Sequence, residues 1–132
     1  MIGIPGTIGG GIKMNSGAFG SEFKDVLIDV KAINHNGEYK IFSNEDLDMK
    51  YRKIGLKEEW IFLSARFRTS VDNENKIKDK MKKIIHSRKN AQPIGVKTGG
   101  STFKNPKGEK AWKLIDQAGC RGWKNGDAMI SE

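Results

Sequence analysis

Apolar and polar positions alternate most clearly in three stretches of the chain. Residues 26–33 (Val-Leu-Ile-Asp-Val-Lys-Ala-Ile) are rich in branched side chains that suit a pleated surface, and they predict a strand. Asn36-Gly37 tolerates the positive φ of a tight hairpin turn, so Glu38 to Phe42 is the expected return strand. Trp60 to Thr69 alternates in its second half and predicts a third, half-buried strand. The period then lengthens. Between Asn73 and Lys89 the residues Ile77, Met81, Ile84 and Ile85 recur at helical spacing, which predicts an amphipathic helix with its lysines on a solvated face. Ser43-Asn44-Glu45-Asp46 has the composition of a helix start, with Ser43 accepting backbone N–H bonds and Asp46 near the positive end of the dipole. Pro93 ends any helix before it, Glu109 to Ala118 predicts a short helix capped by Gly119, and Ala128 to Glu132 begins a strand.

Two segments have no period at all. The opening run from Gly3 to Gly11 carries five glycines and Pro5, and it continues into Asn15-Ser16-Gly17-Ala18-Phe19-Gly20. Glycines this dense disfavour regular structure and let a ligand approach the backbone, so the expectation is a loop; a flexible terminus is the plainer alternative. The second segment, 95–106, joins glycines, Ser101, Phe103 and a Lys104-Asn105-Pro106 stop. No repeat or low-complexity tract appears.

Length and composition narrow the class. With 132 residues, 36% hydrophobic and 30% charged, the chain has the make-up of a globular protein with a modest core. No apolar run reaches the roughly 20 residues that span a bilayer, and the start lacks the basic region of a signal peptide. One cysteine, Cys120, excludes an internal disulfide and fits a reducing cytoplasm. The net charge of +8 favours an anionic partner, whether nucleic acid, a membrane surface or a phosphorylated small molecule. The lysines are scattered among acidic residues rather than gathered beside stacking aromatics, which argues against nucleic acid.

Three features offer chemistry. Backbone N–H groups of the glycine-rich opening suit a phosphate or a flavin edge, although the opening lacks the lysine and hydroxyl of a Walker loop. Arg52, after Tyr51, is an always-charged fork suited to a carboxylate or pyrophosphate, and a surface arginine is the simpler alternative. Ser101, after two glycines, presents its hydroxyl without steric cover, as structural serines also do. His35 and His86 have no metal-site spacing, so no metal is expected, and Cys120 has no evident base beside it.

The order of these motifs resembles one family. GIPGTIGG (Gly3–Gly10) followed by MNSGAFG (Met14–Gly20) is similar to the flavin-contacting stretch of UDP-N-acetylenolpyruvoylglucosamine reductases. Tyr51-Arg52 resembles that family's Tyr-Arg pair, GGSTFKNP (Gly99–Pro106) its G-S-x-F-x-N-P loop, AWKLIDQAGCRGW (Ala111–Trp123) the helix and turn that follow, and Ala128–Glu132 its A-x-x-SE. The resemblance implies an NADPH-reduced FAD that delivers hydride to the enolpyruvyl group of UDP-N-acetylglucosamine enolpyruvate, giving UDP-N-acetylmuramate for the bacterial cell wall. It implies flavin contacts at Gly3, Ile4, Pro5, Gly6, Thr7, Gly9, Gly10, Asn15, Gly17 and Ala18. It makes Ser101 the proton donor and Arg52 the group that holds the substrate carboxylate and stabilises the enolate. Tyr51, Arg88, Lys89, Lys104 and Asn105 are the further substrate contacts it implies, Arg88 or Lys89 at the pyrophosphate.

The family pattern also has parts that this chain lacks: an earlier half of the flavin domain, and a catalytic glutamate beyond Glu132. Ile54 and Asn125 depart from the pattern as well. The expected fold is α+β, with residues 1–48 as the second part of a flavin-binding subdomain. Residues 49–132 are then part of a substrate domain, with the 73–89 helix packed on a short antiparallel sheet. The chain alone is expected to be unstable or inactive, as a piece of a split or degraded gene or as one half of a two-chain enzyme. A basic nucleic-acid module is the remaining alternative, and it predicts salt-sensitive binding.

Overall fold

The computed structural model describes residues 2–4, 6–57, 59–91 and 101–132, and the backbone divides into two compact units, Met1–Gly95 and Val96–Glu132. The first is built on a three-stranded antiparallel sheet of order β4-β3-β5, in which β3 is Leu27–Asn34, β4 is Tyr39–Ser43 and β5 is Trp60–Phe67. The hairpin expected at Asn36-Gly37 joins β3 to β4, with Gly37 at φ 82. Its stem is fixed from inside. Asn34, 5% exposed, accepts at Oδ1 from the N–H groups of Asn36 and Glu38, both at 3.0 Å.

One face of the sheet carries the core. Val30 and Ala32 on β3 and Phe42 on β4 point to it at the expected alternation, while a register shift against β5 between Leu27 and Asp29 turns Leu27 to the same side. Ile12, Phe23 and Leu47 complete the cluster, with Trp60, Phe62, Ala65 and Phe67 of β5 packed against it. The sheet spans residue 48, since β5 hydrogen-bonds along β3. Both strands belong to the first unit.

Ile12 reaches the core from a helix where a loop was expected. Helix α1, Ile8–Lys13, is Ile-Gly-Gly-Gly-Ile-Lys, with Thr7 as its N-cap. Each helical glycine costs about 1 kcal/mol relative to alanine, so packing must offset the sequence's own preference. A Cβ on Gly11 would stand 2.6 Å from Cε2 of the Phe23 ring, and one on Gly9 would lie 3.8 Å from the Cβ of Phe62. Glycine at position 11 lets the helix lie close to the Phe23 ring, while position 9 has ordinary contact room.

The Ser43–Asp46 pattern makes its capping contacts but no helix. The Ser43 N–H and Oγ donate to Asp46 Oδ2 at 2.8 and 2.9 Å, and the Asp46 N–H donates back to Ser43 Oγ at 3.1 Å. The chain turns through 44–48 instead and leaves with Asp48 at φ 38. Helix α2, Glu74–Ala91, matches the expected span. It has no buried residue, and Ile77, Met81 and Ile85 are 43%, 40% and 36% exposed.

In the second unit, α3 (Ala111–Gln117) ends at Gly119, φ 68, as expected of a capping glycine. Strands β6 (Lys124–Asn125) and β7 (Ala128–Met129) form a short hairpin. Both units together are a mixed α+β arrangement.

Candidate functional site

The first unit gathers a cluster of polar groups where α1 gives way to strand. Asn15 follows the helix with φ 38, a left-handed conformation that asparagine tolerates better than most residues. The chain then forms a small hairpin of β1 (Gly17–Ala18) and β2 (Ser21–Glu22). Its two turn residues, Phe19 and Gly20, both have positive φ, 54 and 79, the pattern of a type I′ turn. Gly17 has no room for a side chain, since a Cβ there would stand 2.6 Å from Glu22 Cγ. Glycine at this position lets the Glu22 stem cross the backbone, which aims its carboxylate back toward Asn15.

A second turn comes from far along the chain. Lys50 and Lys53 exchange backbone hydrogen bonds of 2.9 and 3.2 Å, leaving Tyr51 and Arg52 at the centre. Arg52 takes φ 54, as the third position of a type II turn demands. A non-glycine residue held there is strained, and such strain persists only where surrounding contacts enforce it.

Those contacts are specific. Arg52 Nη1 donates to the Asn15 carbonyl at 3.2 Å and Nη2 to the Gly17 carbonyl at 3.1 Å. The Asn15 side chain is fully buried, and its Nδ2 donates to Glu22 Oε2 at 3.0 Å and to the Lys50 carbonyl at 3.2 Å. Its Oδ1 accepts from the Lys24 N–H at 3.0 Å. Glu22 is the electrostatic counterpart: Lys24 Nζ lies 3.0 Å from Oε2 and Arg52 Nη1 lies 3.9 Å from Oε1. The Tyr51 ring sits beneath the guanidinium, 4.8 Å from Cζ. Arg52 is therefore anchored by two carbonyls on one side, with its side chain 28% exposed. Its other N–H groups are directed away from those two bonds, which suits a planar carboxylate.

Two carboxylates elsewhere in the first unit have displaced titration. Hydrogen bonds from Arg66 hold Asp29 below the usual carboxylate range, and the Ser43 backbone N–H, seconded by its hydroxyl, does the same for Asp46.

The other residues singled out from the sequence are distributed over both units. Thr7, Gly9 and Gly10 belong to α1 or its cap, and the Thr7 hydroxyl accepts the Gly10 N–H at 3.1 Å. Ile4 is half-buried, and Pro5 lies outside the described residues. Gly6 has φ 118, with nothing within 4 Å of where a Cβ would be, and Gly20 is similarly open; Ala18 is half-buried beside it. Gly3 lies beside the Arg88 side chain, since a Cβ would fall 2.9 Å from Arg88 Cδ. Arg88 and Lys89 occupy the last turn of α2. Ser101, Lys104 and Asn105 belong to the second unit, and Arg52 to the first. Ser101 and Lys104 are exposed, whereas Asn105 Oδ1 accepts the Ala111 N–H that opens α3, at 3.0 Å. Residues 92–100, which include Gln92-Pro93 and the two glycines before the serine, lie outside the described residues. Sequence reasoning missed Glu22: a lone glutamate two residues from Lys24 carries the signature of an ordinary surface pair.

Comparison with known proteins places these elements in context. Residues 92–132 match the model for the UDP-N-acetylenolpyruvoylglucosamine reductase C-terminal domain. The chain is 49% identical over its full length to a UDP-N-acetylenolpyruvoylglucosamine reductase of Rickettsia bellii, covering 44% of that protein. It is 48% identical over 99% of its length to one from Anaplasma marginale, again covering 44%. Among solved structures, the UDP-N-acetylenolpyruvylglucosamine reductase of Thermus caldophilus matches 98% of this chain at 37% identity with a TM-score of 0.89, over 48% of its own length. The chain thus spans less than half the length of each relative it matches. In sequence and in fold, the chain is similar to somewhat less than half of a UDP-N-acetylenolpyruvoylglucosamine reductase.

Proposed function

We propose that the chain acts in the NADPH-dependent reduction of UDP-N-acetylglucosamine enolpyruvate to UDP-N-acetylmuramate for peptidoglycan synthesis, with FAD as the bound cofactor. The observation that carries this is the Arg52 fork, held by the Asn15 and Gly17 carbonyls in a strained turn with donors left over for a carboxylate.

The residues present fit a flavin. The open space beside Gly6 and Gly20 admits a flat ring close to the backbone, and Gly3, Ile4, Thr7, Asn15, Gly17 and Ala18 line the same run of chain. When bound, the flavin accepts hydride from NADPH and supplies it to the enolpyruvyl group. Arg52 then holds the substrate carboxylate and stabilises the negative charge that develops on it. Ser101 Oγ passes a proton to the neighbouring carbon, which a weak acid does only when the enolate is basic and its geometry is held. Lys104 and Asn105 help bind the substrate, and Arg88 or Lys89 meets its pyrophosphate, which gives the excess positive charge a role. UDP-sugar and NADPH supply place this work in the bacterial cytoplasm. Among the described residues no helix is long and apolar enough to cross a membrane.

The test starts with the absorbance spectrum of the purified chain, with and without FAD. Flavin bands that shift on binding support the reading, and NADPH oxidation dependent on the enolpyruvyl substrate would overturn the expectation that the chain alone is inactive and open its residues to test. Ser101→Ala should then lower turnover by about 100-fold or more, the usual worth of a general acid. Undiminished turnover in both Ser101→Ala and Arg52→Ala would refute the assignment.

A further inference from the structure

Arg52 has a counter-charge whose bonds reach it along two routes. The Glu22 carboxylate lies 3.9 Å from Arg52 Nη1, and it accepts the Asn15 amide at 3.0 Å. Asn15 in turn presents the carbonyl that takes Nη1 at 3.2 Å, and its amide also ties down the Lys50 carbonyl at the base of the arginine turn, again at 3.2 Å. One carboxylate thus braces both strands of the frame. Residues 15–24 and 50–53 have no continuous backbone pairing to fix their spacing, so the link between them is made of side chains.

We propose that Glu22 is a positioning residue for Arg52: through Asn15 and by direct attraction it holds the guanidinium edge-on against the Asn15 and Gly17 carbonyls, so that the opposite edge stays aimed at the substrate carboxylate. The proposal rests on the reading of Arg52 given above. A mobile arginine would bind an anion and still misplace it, and misplacement by about 1 Å costs roughly 100-fold in rate. Lys24, 3.0 Å from the same carboxylate, limits the net charge of the cluster and leaves Glu22 bound on two sides. Glutamine keeps the volume and one acceptor at this position but loses the charge, so it isolates the ionic part of the brace.

The test reads the arginine itself. In the chain carrying 15N-labelled arginine, the side-chain resonances of Arg52 are assigned by their loss in Arg52→Lys, and the rotation rate of its guanidinium is measured beside that of exposed Arg68. Wild-type Arg52 should rotate about tenfold more slowly than Arg68, reflecting its charge-assisted bonds. Glu22→Gln should remove most of that difference with the backbone amide spectrum preserved. Glu22→Asp should restore part of it, and Glu45→Gln, an equal charge change on the surface, should leave it intact. The proposal is overturned if wild-type Arg52 turns as fast as Arg68, or if Glu22→Gln leaves its rate within about twofold. Either result stands whether or not the chain turns over substrate. A failure of flavin binding or turnover would count against the proposed function and leave the rotation result unchanged.

Discussion

Replacing Asn15 by aspartate tests the cluster through its energy. The substitution is nearly isosteric and keeps a residue that tolerates φ 38. One oxygen still accepts the Lys24 N–H. The other replaces an amide that donated to Glu22 Oε2 at 3.0 Å and to the Lys50 carbonyl at 3.2 Å, and it meets two acceptors. Two hydrogen bonds lost at a fully buried position cost about 1 kcal/mol each. A like-charge contact with Glu22, which is partly solvated, adds about 1–2 kcal/mol. The sum is roughly 3 kcal/mol at pH 7, a large part of the 5–15 kcal/mol typical of a domain. The pH dependence has a definite sign. Burial and Glu22 both raise the pKa of the introduced carboxyl in the folded state, so the folded protein binds its proton more tightly than the unfolded chain does. The deficit is full above the raised folded value and shrinks as pH falls through it toward the unfolded value of about 3.9. Urea unfolding of wild type and Asn15→Asp at pH 7 and pH 5, followed by far-UV circular dichroism, measures both effects. A deficit below about 0.5 kcal/mol at pH 7, the size of an ordinary surface change, would refute the role given to Asn15. So would a deficit that grows as the pH is lowered.

Two further outcomes follow from particular contacts. Gly11→Ala places a methyl 2.6 Å from the ring of Phe23, which is 4% exposed and packed against Phe67. Overpacking of about 1–3 kcal/mol should exceed the helix gain of about 1 kcal/mol, so the melting temperature falls. In Gly10→Ala the new methyl meets only Thr7 Oγ1, at 3.3 Å, and thermal melts of the two variants should move in opposite directions or differ clearly in size. Asp46→Asn should destabilise at neutral pH, because hydrogen bonds from Ser43 depress the carboxyl's folded pKa. That contribution is complete above the unfolded value and is lost as pH falls through the depressed one, so the melting curves of wild type and variant should converge in acid. Persistent separation at low pH would show that the charge is not what Ser43 stabilises.

The parts of the fold legible in the sequence are those fixed by neighbours along the chain. β3, its hairpin partner β4 and helix α2 declare themselves through periods of two or nearly four and through Asn36-Gly37. Helix α1 does not, because its glycines contradict helix propensity, and Gly11 is explained only by Phe23, which approaches from elsewhere. The Ser43–Asp46 capping pattern was legible as chemistry but not as geometry, since the same bonds close a turn as readily as they open a helix. The candidate site divides in the same way. Arg52 has a recognisable type and neighbour in Tyr51, yet its partners are carbonyls 37 and 35 positions away. No periodicity encodes a side chain bonding to distant backbone, so Glu22 and the burial of Asn15 emerge only in three dimensions.

The arginine and serine ends of the proposed chemistry are consequently fixed by different means. Every group that constrains Arg52 belongs to residues 15–53, beside a core of Ile12, Phe23, Leu27, Val30, Phe42 and Leu47. Its strained φ of 54 is held by hydrogen bonds that burial of Asn15 shields from water. Among the described residues of the second unit none is buried, and Phe103, Trp112 and Trp123 are 64%, 55% and 68% exposed. There, local devices give the order: the Asn105 bond to the start of α3, the glycine stop at Gly119 and the β6–β7 hairpin. Such devices contribute about 1 kcal/mol each, far less than a shared core. Chemical denaturation should therefore release Ser101 at lower urea than Arg52, and residue-resolved amide exchange would register the two events separately. A single transition for both residues would mean that their geometry is coupled by more than the contacts within each unit.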